Sequence, residues 1–163
     1  MNKQELQNEI NKTKEHLANM EKMLAECEYE RWKPDENEEY FVVAAKGVMD
    51  CLNVDSTVWK AHFNFYNCFQ TRKQAKAEAE KILVRRQLED IAKRLNKGKK
   101  IEWRVRTQEK NCIDFNYAFD ELVQNTNAYI KRQGTVYCLD DNFLDVAKRE
   151  IGEERLKKYL RGE

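Results

Sequence analysis

The fold is decided by residues 71–98, which read TRKQAKAEAEKILVRRQLEDIAKRLNKG. Thr71 is a typical N-cap residue, and no glycine or proline follows it until Gly98. Apolar residues recur through this stretch at helical spacing, namely Ala75, Ala79, Ile82, Val84, Leu88, Ile91 and Leu95. These signals predict one long helix from Thr71 to about Leu95, with Gly98 as a left-handed cap.

The residues before this helix indicate β-structure. Residues 40–45, YFVVAA, form an apolar run, and residues 46–47 can turn the chain into a second strand over residues 48–52. Aromatic and β-branched residues favour further strands at 57–59 and 62–66. We therefore expect a three-stranded antiparallel meander ahead of the long helix.

The second half of the chain repeats this order of signals. Strand candidates are residues 101–106, 112–119, 122–123, 128–130 and 135–139. Asp140 then resembles the N-cap of a helix that Gly152 can kink. A shift of 69 positions places Phe69 on Cys138 and Thr71 on Asp140. The prediction is an α+β body, with two ββα-like repeats as a structural hypothesis.

The N-terminal segment carries a heptad seam of about three repeats. Its apolar positions, which Thr13 and Cys27 weaken, include Leu6, Ile10, Leu17, Met20 and Leu24. Glu9 and Lys14 fall at the g and e positions that pair between parallel chains. The seam predicts a coiled-coil homodimer, and the alternative is a helix that packs on its own domain.

Proline marks the boundary of this helix, because Pro34 disfavours helix at the residue before it. We predict an N-terminal helix over residues 1–30, a hinge over 31–39 and the α+β body over 40–163. The acidic stretch 26–39 contains Trp32 and is a second candidate for a binding surface. Its alternative is a solvated hinge.

Composition excludes several classes of protein. With 30 basic and 29 acidic residues the net charge is +1, so neither a basic nucleic-acid tail nor an acidic DNA mimic fits. The five glycines are too scattered for a phosphate-binding loop. The five cysteines include no Cys-x-x-Cys pair, and we expect reduced thiols in the cytoplasm. We predict a protein without membrane segment, metal, cofactor or catalytic activity.

The densest positive charge runs from Lys93 to Lys110, with Trp103 in its middle and only Glu102 and Glu109 as acids. Cations beside an aromatic ring suit phosphates with stacked bases, or an acidic partner. We predict a partner or nucleic-acid binding surface formed by Lys97, Lys99, Lys100, Trp103, Arg104 and Arg106. The alternative is a solvated helix end and an edge strand, where basic residues are common.

Several motifs resemble small accessory proteins of phages and prophages of Gram-positive bacteria. They are WKP at 32–34, Trp59, NCFQT at 67–71, VYC at 136–138, IGEERL at 151–156 and YL at 159–160. The likeness covers residues 29–160 and departs at Tyr66, often glycine in those proteins, and at Cys138, often aromatic. It implies a phage origin, and anti-defence proteins, including anti-CRISPR proteins, as functional relatives.

We therefore expect a phage-encoded inhibitor that binds a host defence complex, with a CRISPR effector as the preferred target. The alternatives are a nucleic-acid-binding accessory or regulatory protein, and a sponge that sequesters a nucleotide signal. The sponge would need a pocket of arginine and aromatic side chains at the dimer interface.

Overall fold

The computed structural model describes residues 3–26, 31–54, 56–126 and 130–163. The chain divides into two units, Met1–Lys33 and Pro34–Glu163. The fold is α+β, as predicted. Within the described ranges the helices and strands are, in chain order, α1 (Lys3–Glu26), β1 (Glu39–Ala44), β2 (Gly47–Leu52), α2 (Ser56–Asn64), α3 (Arg72–Leu95), β3 (Asn111–Asn116), β4 (Glu121–Thr126), α4 (Phe143–Ile151) and α5 (Glu153–Arg161).

Helix α1 forms from a stretch rich in good helix formers that lacks glycine and proline. Four of its seam side chains keep between 41% and 51% of their surface exposed, namely Leu6, Ile10, Leu17 and Met20. The side chain of Leu24 and the whole of Cys27 lie outside the described residues. The predicted coiled coil therefore stays a prediction.

The second unit begins inside the predicted hinge, because Asn53 holds the residues that follow Pro34. Its side-chain amide donates to the carbonyls of Pro34 and Asp35, at 3.0 and 2.9 Å. Its backbone pairs with Asn37 and Glu38, at 2.9 and 3.0 Å. Whether α1 and the second unit fold separately stays a prediction.

Strands β1 and β2 form an antiparallel hairpin in which Glu39 pairs with Leu52 and Ala44 with Gly47. The third strand of the expected meander is absent from the described residues. Its place beside β1 is taken by the single bridge residue Phe69, which exchanges two backbone hydrogen bonds of 2.9 Å with Phe41.

The strands predicted at 57–59 and 62–66 are wrong, since these residues belong to α2 and the turn after it. Trp59 and Phe63 lie four positions apart on the helix, and their rings pack edge to face with centroids 5.7 Å apart. This contact and helical spacing outweigh the β-propensity of aromatic residues, which depends strongly on context.

Helix α3 is confirmed from its cap to Leu95. The Thr71 hydroxyl accepts from the backbone of Gln74, and the Gln74 side chain accepts in return from the backbone of Thr71. The predicted stripe is mostly buried, with Ala75, Val84, Leu88, Ile91 and Ala92 in the core. The helix ends at Asn96, and Lys97 and Gly98 both have left-handed backbone.

The second hairpin pairs β3 with β4, and Asn111 lies opposite Thr126. The strand predicted at 101–106 is wrong, because the chain makes successive turns there. The strand predicted at 135–139 is reduced to one bridge between Cys138 and Asn111. Of the strand predicted at 128–130, residues 128 and 129 lie outside the described residues.

Asp140 is not the N-cap that we predicted, because α4 begins at Phe143 after Asn142. The Asp140 carboxylate instead accepts from the backbone N–H of Asn142 at 2.9 Å, which forms an Asx turn before the helix. The predicted break at Gly152 is confirmed, since this residue separates α4 from α5 with φ of 96°.

The main core lies between α3, the second hairpin and the last two helices. Its fully buried side chains include Ile91, Cys138, Phe143, Ala147 and Leu156. A hairpin followed by two helices thus occurs twice in the described chain, but the internal duplication itself stays a prediction. Across the described ranges, no helix is long and apolar enough to cross a membrane.

Candidate functional site

The predicted binding residues lie on one connection, residues 97–110, which we call the basic loop. It links the end of α3 to the start of β3. Lys97 and Gly98, with φ of 48° and 79°, redirect the chain as it leaves the helix. The Lys97 N–H donates to Arg94 O at 3.2 Å, and the Lys99 N–H donates to Asn96 O at 2.9 Å. The loop thus starts from a fixed helix end.

Gln108 fastens the two sides of the basic loop together. Its side-chain oxygen accepts from the backbone N–H of Glu102 at 2.6 Å, and its side-chain amide donates to the carbonyl of Lys100 at 3.1 Å. The Val105 N–H adds a bond of 3.2 Å to Glu102 O. The loop therefore holds its shape through its own hydrogen bonds.

Lys110 belongs to this frame and not to the surface. We counted it among the cations of the basic region, but its side chain is 0% exposed. Its ammonium donates to the carbonyls of Val105 and Gln108, at 2.9 and 2.5 Å. It also lies 5.7 Å from the centre of the Trp103 ring. A buried lysine held by these groups fixes the path of residues 105–110.

Trp103 is half-buried and faces the body. Its ring packs edge to face against Tyr137, with centroids 4.8 Å apart and planes at 85°. Tyr137 is itself buried and fixed, because its hydroxyl accepts from Arg132 N at 2.9 Å and donates to Ile130 O at 3.2 Å. Trp103 therefore packs the loop against the body and offers little surface for contact with a partner.

The five other predicted residues are all exposed, namely Lys97, Lys99, Lys100, Arg104 and Arg106. Among the described residues no carboxylate lies within 4.0 Å of any of their charged groups. The structure therefore brings five cations onto one preformed loop.

The arginine just before the loop behaves differently. Arg94 donates to Glu150 and Asp90, at 2.5 and 3.0 Å. These hydrogen bonds raise the pKa of the Arg94 guanidinium, and the bond to Glu150 has the largest effect. Arg94 is engaged within the body, in contrast to the cations of the basic loop.

Tyr40, His62 and Cys51 form a second group of side chains that could carry chemistry. The Tyr40 hydroxyl lies 3.0 Å from His62 Nδ1. Burial raises the pKa of the Cys51 thiol, which makes it a poor nucleophile. Burial also raises the pKa of the Cys112 and Cys138 thiols. Burial thus disfavours the reactive thiolate form of all three cysteines.

A groove of about 460 Å³ lies between α3 and α5, and it is an alternative to the loop that has an apolar floor. Val84 and Tyr159 form part of that floor. Part of its charged rim is already engaged, because Arg155 pairs with Glu80 at 2.6 Å and Lys81 donates to the carbonyl of Gly162. The groove therefore has fewer available charges than the basic loop.

The residues that the structure describes contain no group of three or more His, Cys, Asp or Glu that could hold a metal ion. A comparison with family models, with curated proteins and with solved structures found no match for this chain.

The sequence predicted the cations but missed the frame that carries them. Gln108 and Lys110 look like ordinary polar surface residues, and lysine is almost never fully buried. One signal in the sequence argued against a strand at residues 101–106. Arg104 and Arg106 leave few apolar residues there to pack on the body. The residues that flank this frame have partners distant in sequence, since Trp103 packs on Tyr137 and Asn111 bridges to Cys138.

Proposed function

We propose that this protein is an inhibitor that acts by binding. The basic loop contacts a host defence complex, and a CRISPR effector, which carries nucleic acid, is the proposed target. Phage origin, implied by the motif resemblance, is part of this proposal. Catalysis is not part of it, since burial raises the pKa of the Cys51, Cys112 and Cys138 thiols and so disfavours their reactive thiolate form.

The observation that supports this proposal most is the set of five exposed cations without an acidic partner among the described residues. The alternative had two parts, an edge strand and a helix end. Residues 101–106 form no strand, so an edge does not account for Arg104 and Arg106. The helix end accounts for Lys97 at most, since the dipole acts within the last turn.

The test is protection of a plasmid from a CRISPR effector in cells that express the full chain. Transformation efficiency should rise when the protein is present. The variant Lys97→Glu/Lys99→Glu/Lys100→Glu should lose this protection, because the loop then repels phosphates. Its folding should be nearly unchanged, since exposed charges contribute little to stability.

A matched control carries the same change in charge elsewhere. Lys60, Lys73 and Lys76 are exposed on α2 and α3, outside the loop. The variant Lys60→Glu/Lys73→Glu/Lys76→Glu should keep full protection. Full protection by the loop variant would refute the basic loop as the contact surface. Binding to bare DNA without any protection would favour the nucleic-acid-binding accessory protein.

We further propose that a second copy of the chain covers the seam of α1. Leu6, Ile10, Leu17 and Met20 are about half exposed, and Ile10 and Leu17 line an apolar surface depression of about 320 Å³. The heptad places Glu9 and Lys14 where parallel partners exchange ion pairs. Such a dimer would present two basic loops to one target and raise avidity.

A further inference from the structure

The basic loop differs from surfaces that bind single-stranded nucleic acid. Those surfaces place aromatic rings where successive bases stack. Trp103 is the only aromatic residue between positions 97 and 110. Its ring is half-buried and packs edge-on against Tyr137, and the Lys110 ammonium lies 5.7 Å from the ring centre. The loop therefore offers no open stacking platform.

The amides around the loop are also engaged. Asparagine and glutamine side chains read adenine by two hydrogen bonds in the major groove. The Gln108 side-chain oxygen accepts from the Glu102 N–H, and its amide group donates to the Lys100 carbonyl. The Asn96 side-chain oxygen accepts from the backbone N–H of Leu139 at 2.7 Å. These two side chains hold the frame and are not available to read bases.

The surface of the basic loop therefore offers positive charges held on a backbone of fixed shape. Lys97, Lys99, Lys100, Arg104 and Arg106 are exposed. Arginine and lysine make most contacts to phosphate oxygens, which position a protein without reading sequence. Because Gln108 and Lys110 hold the loop in place, little backbone conformational entropy is lost when it binds.

We propose that the basic loop binds the phosphate backbone of a nucleic-acid double helix without reading its bases. This inference rests on the proposed function and names the chemistry that its site takes. A double helix presents phosphates in a fixed array, whereas a single strand must be ordered on binding and gains no stacking in return.

The experiment measures fluorescence anisotropy of the full chain with four labelled probes. They are two DNA duplexes of about 20 base pairs with unrelated sequences, an RNA duplex of that length, and one of the DNA single strands. The two DNA duplexes should bind within about twofold of each other, and the single strand about tenfold more weakly. The RNA duplex should also bind more tightly than the single strand, since the loop contacts a double helix without reading its bases.

Trp103→Phe serves as the second arm, since phenylalanine keeps an aromatic edge against Tyr137 while it removes the larger stacking face. Duplex affinity should stay within about twofold of the unchanged chain. A single strand that binds as tightly as the duplex, and that loses affinity in Trp103→Phe, would overturn the inference in favour of base stacking. Strong preference for one DNA sequence would overturn it in favour of base reading.

The failure of this inference differs from failure of the proposed function. If no duplex binds but plasmid protection still requires Lys97, Lys99 and Lys100, the inference is wrong and the loop contacts an acidic protein surface. If the loop variant protects plasmids fully, the proposed function is wrong whatever the duplex result.

Discussion

Tyr40 is the side chain through which the first hairpin meets α2. Only 1% of its surface is exposed, and its hydroxyl lies 3.0 Å from His62 Nδ1. Burial, helped by the nearby Cys51 and Cys68 thiols, raises the pKa of Tyr40 to about 12. A tyrosine in the unfolded chain has a pKa of about 10, so folding favours the neutral phenol. This contribution to stability is complete below pH 10 and is lost as the pH rises towards 12.

The expected result is a fall in the free energy of unfolding between about pH 10 and pH 12 that is shallower in Tyr40→Phe than in the unchanged chain. Urea denaturation at a series of pH values measures it. Tyr117→Phe is the matched control, because Tyr117 is 73% exposed, and it should follow the unchanged chain. Parallel pH curves for Tyr40→Phe and the unchanged chain would contradict the account.

The helices show which elements local signals determine. Helix α3 was predicted within a residue at each end because its cap, its apolar stripe and its stop all lie within 71–98. Helix α2 was predicted as strands because its aromatic residues favour strands when taken one by one, while the Trp59–Phe63 contact depends on their spacing. Residues 135–139 were predicted as a strand, but only Cys138 finds a partner on β3.

A single substitution tests whether the seam of helix α1 forms a dimer. Leu17→Lys places a charge at the centre of the seam, where a partner helix would bury it without a counter-ion. The dissociation constant of the dimer should rise by about two orders of magnitude or more, as sedimentation equilibrium measures. Ala18→Lys is the control, because Ala18 is exposed beside Leu17 but outside the seam, and it should leave the dimer intact. A monomeric unchanged chain at micromolar concentration would refute the dimer.

Charged residues are distributed unevenly over the molecule, although its net charge is only +1. Most described ion pairs lie within the second unit, such as Arg94 with Glu150 and Arg155 with Glu80. The basic loop keeps five cations outside this pairing. The order of residues along the chain predicts where these cations cluster. It could not predict that Lys110 turns inward or that Trp103 packs on Tyr137, since both depend on tertiary contacts.

The central claim is that the five cations of the basic loop contact phosphates, and the salt dependence of duplex binding tests it most directly. A protein that covers five phosphates of B-DNA should give a slope of about −4.5 for log K against log salt concentration. Lys97→Gln/Lys99→Gln/Lys100→Gln should reduce the slope to about −1.8, because two contacts remain. The same three changes at Lys60, Lys73 and Lys76 should leave it at about −4.5. Equal slopes for the loop variant and the unchanged chain would contradict the account.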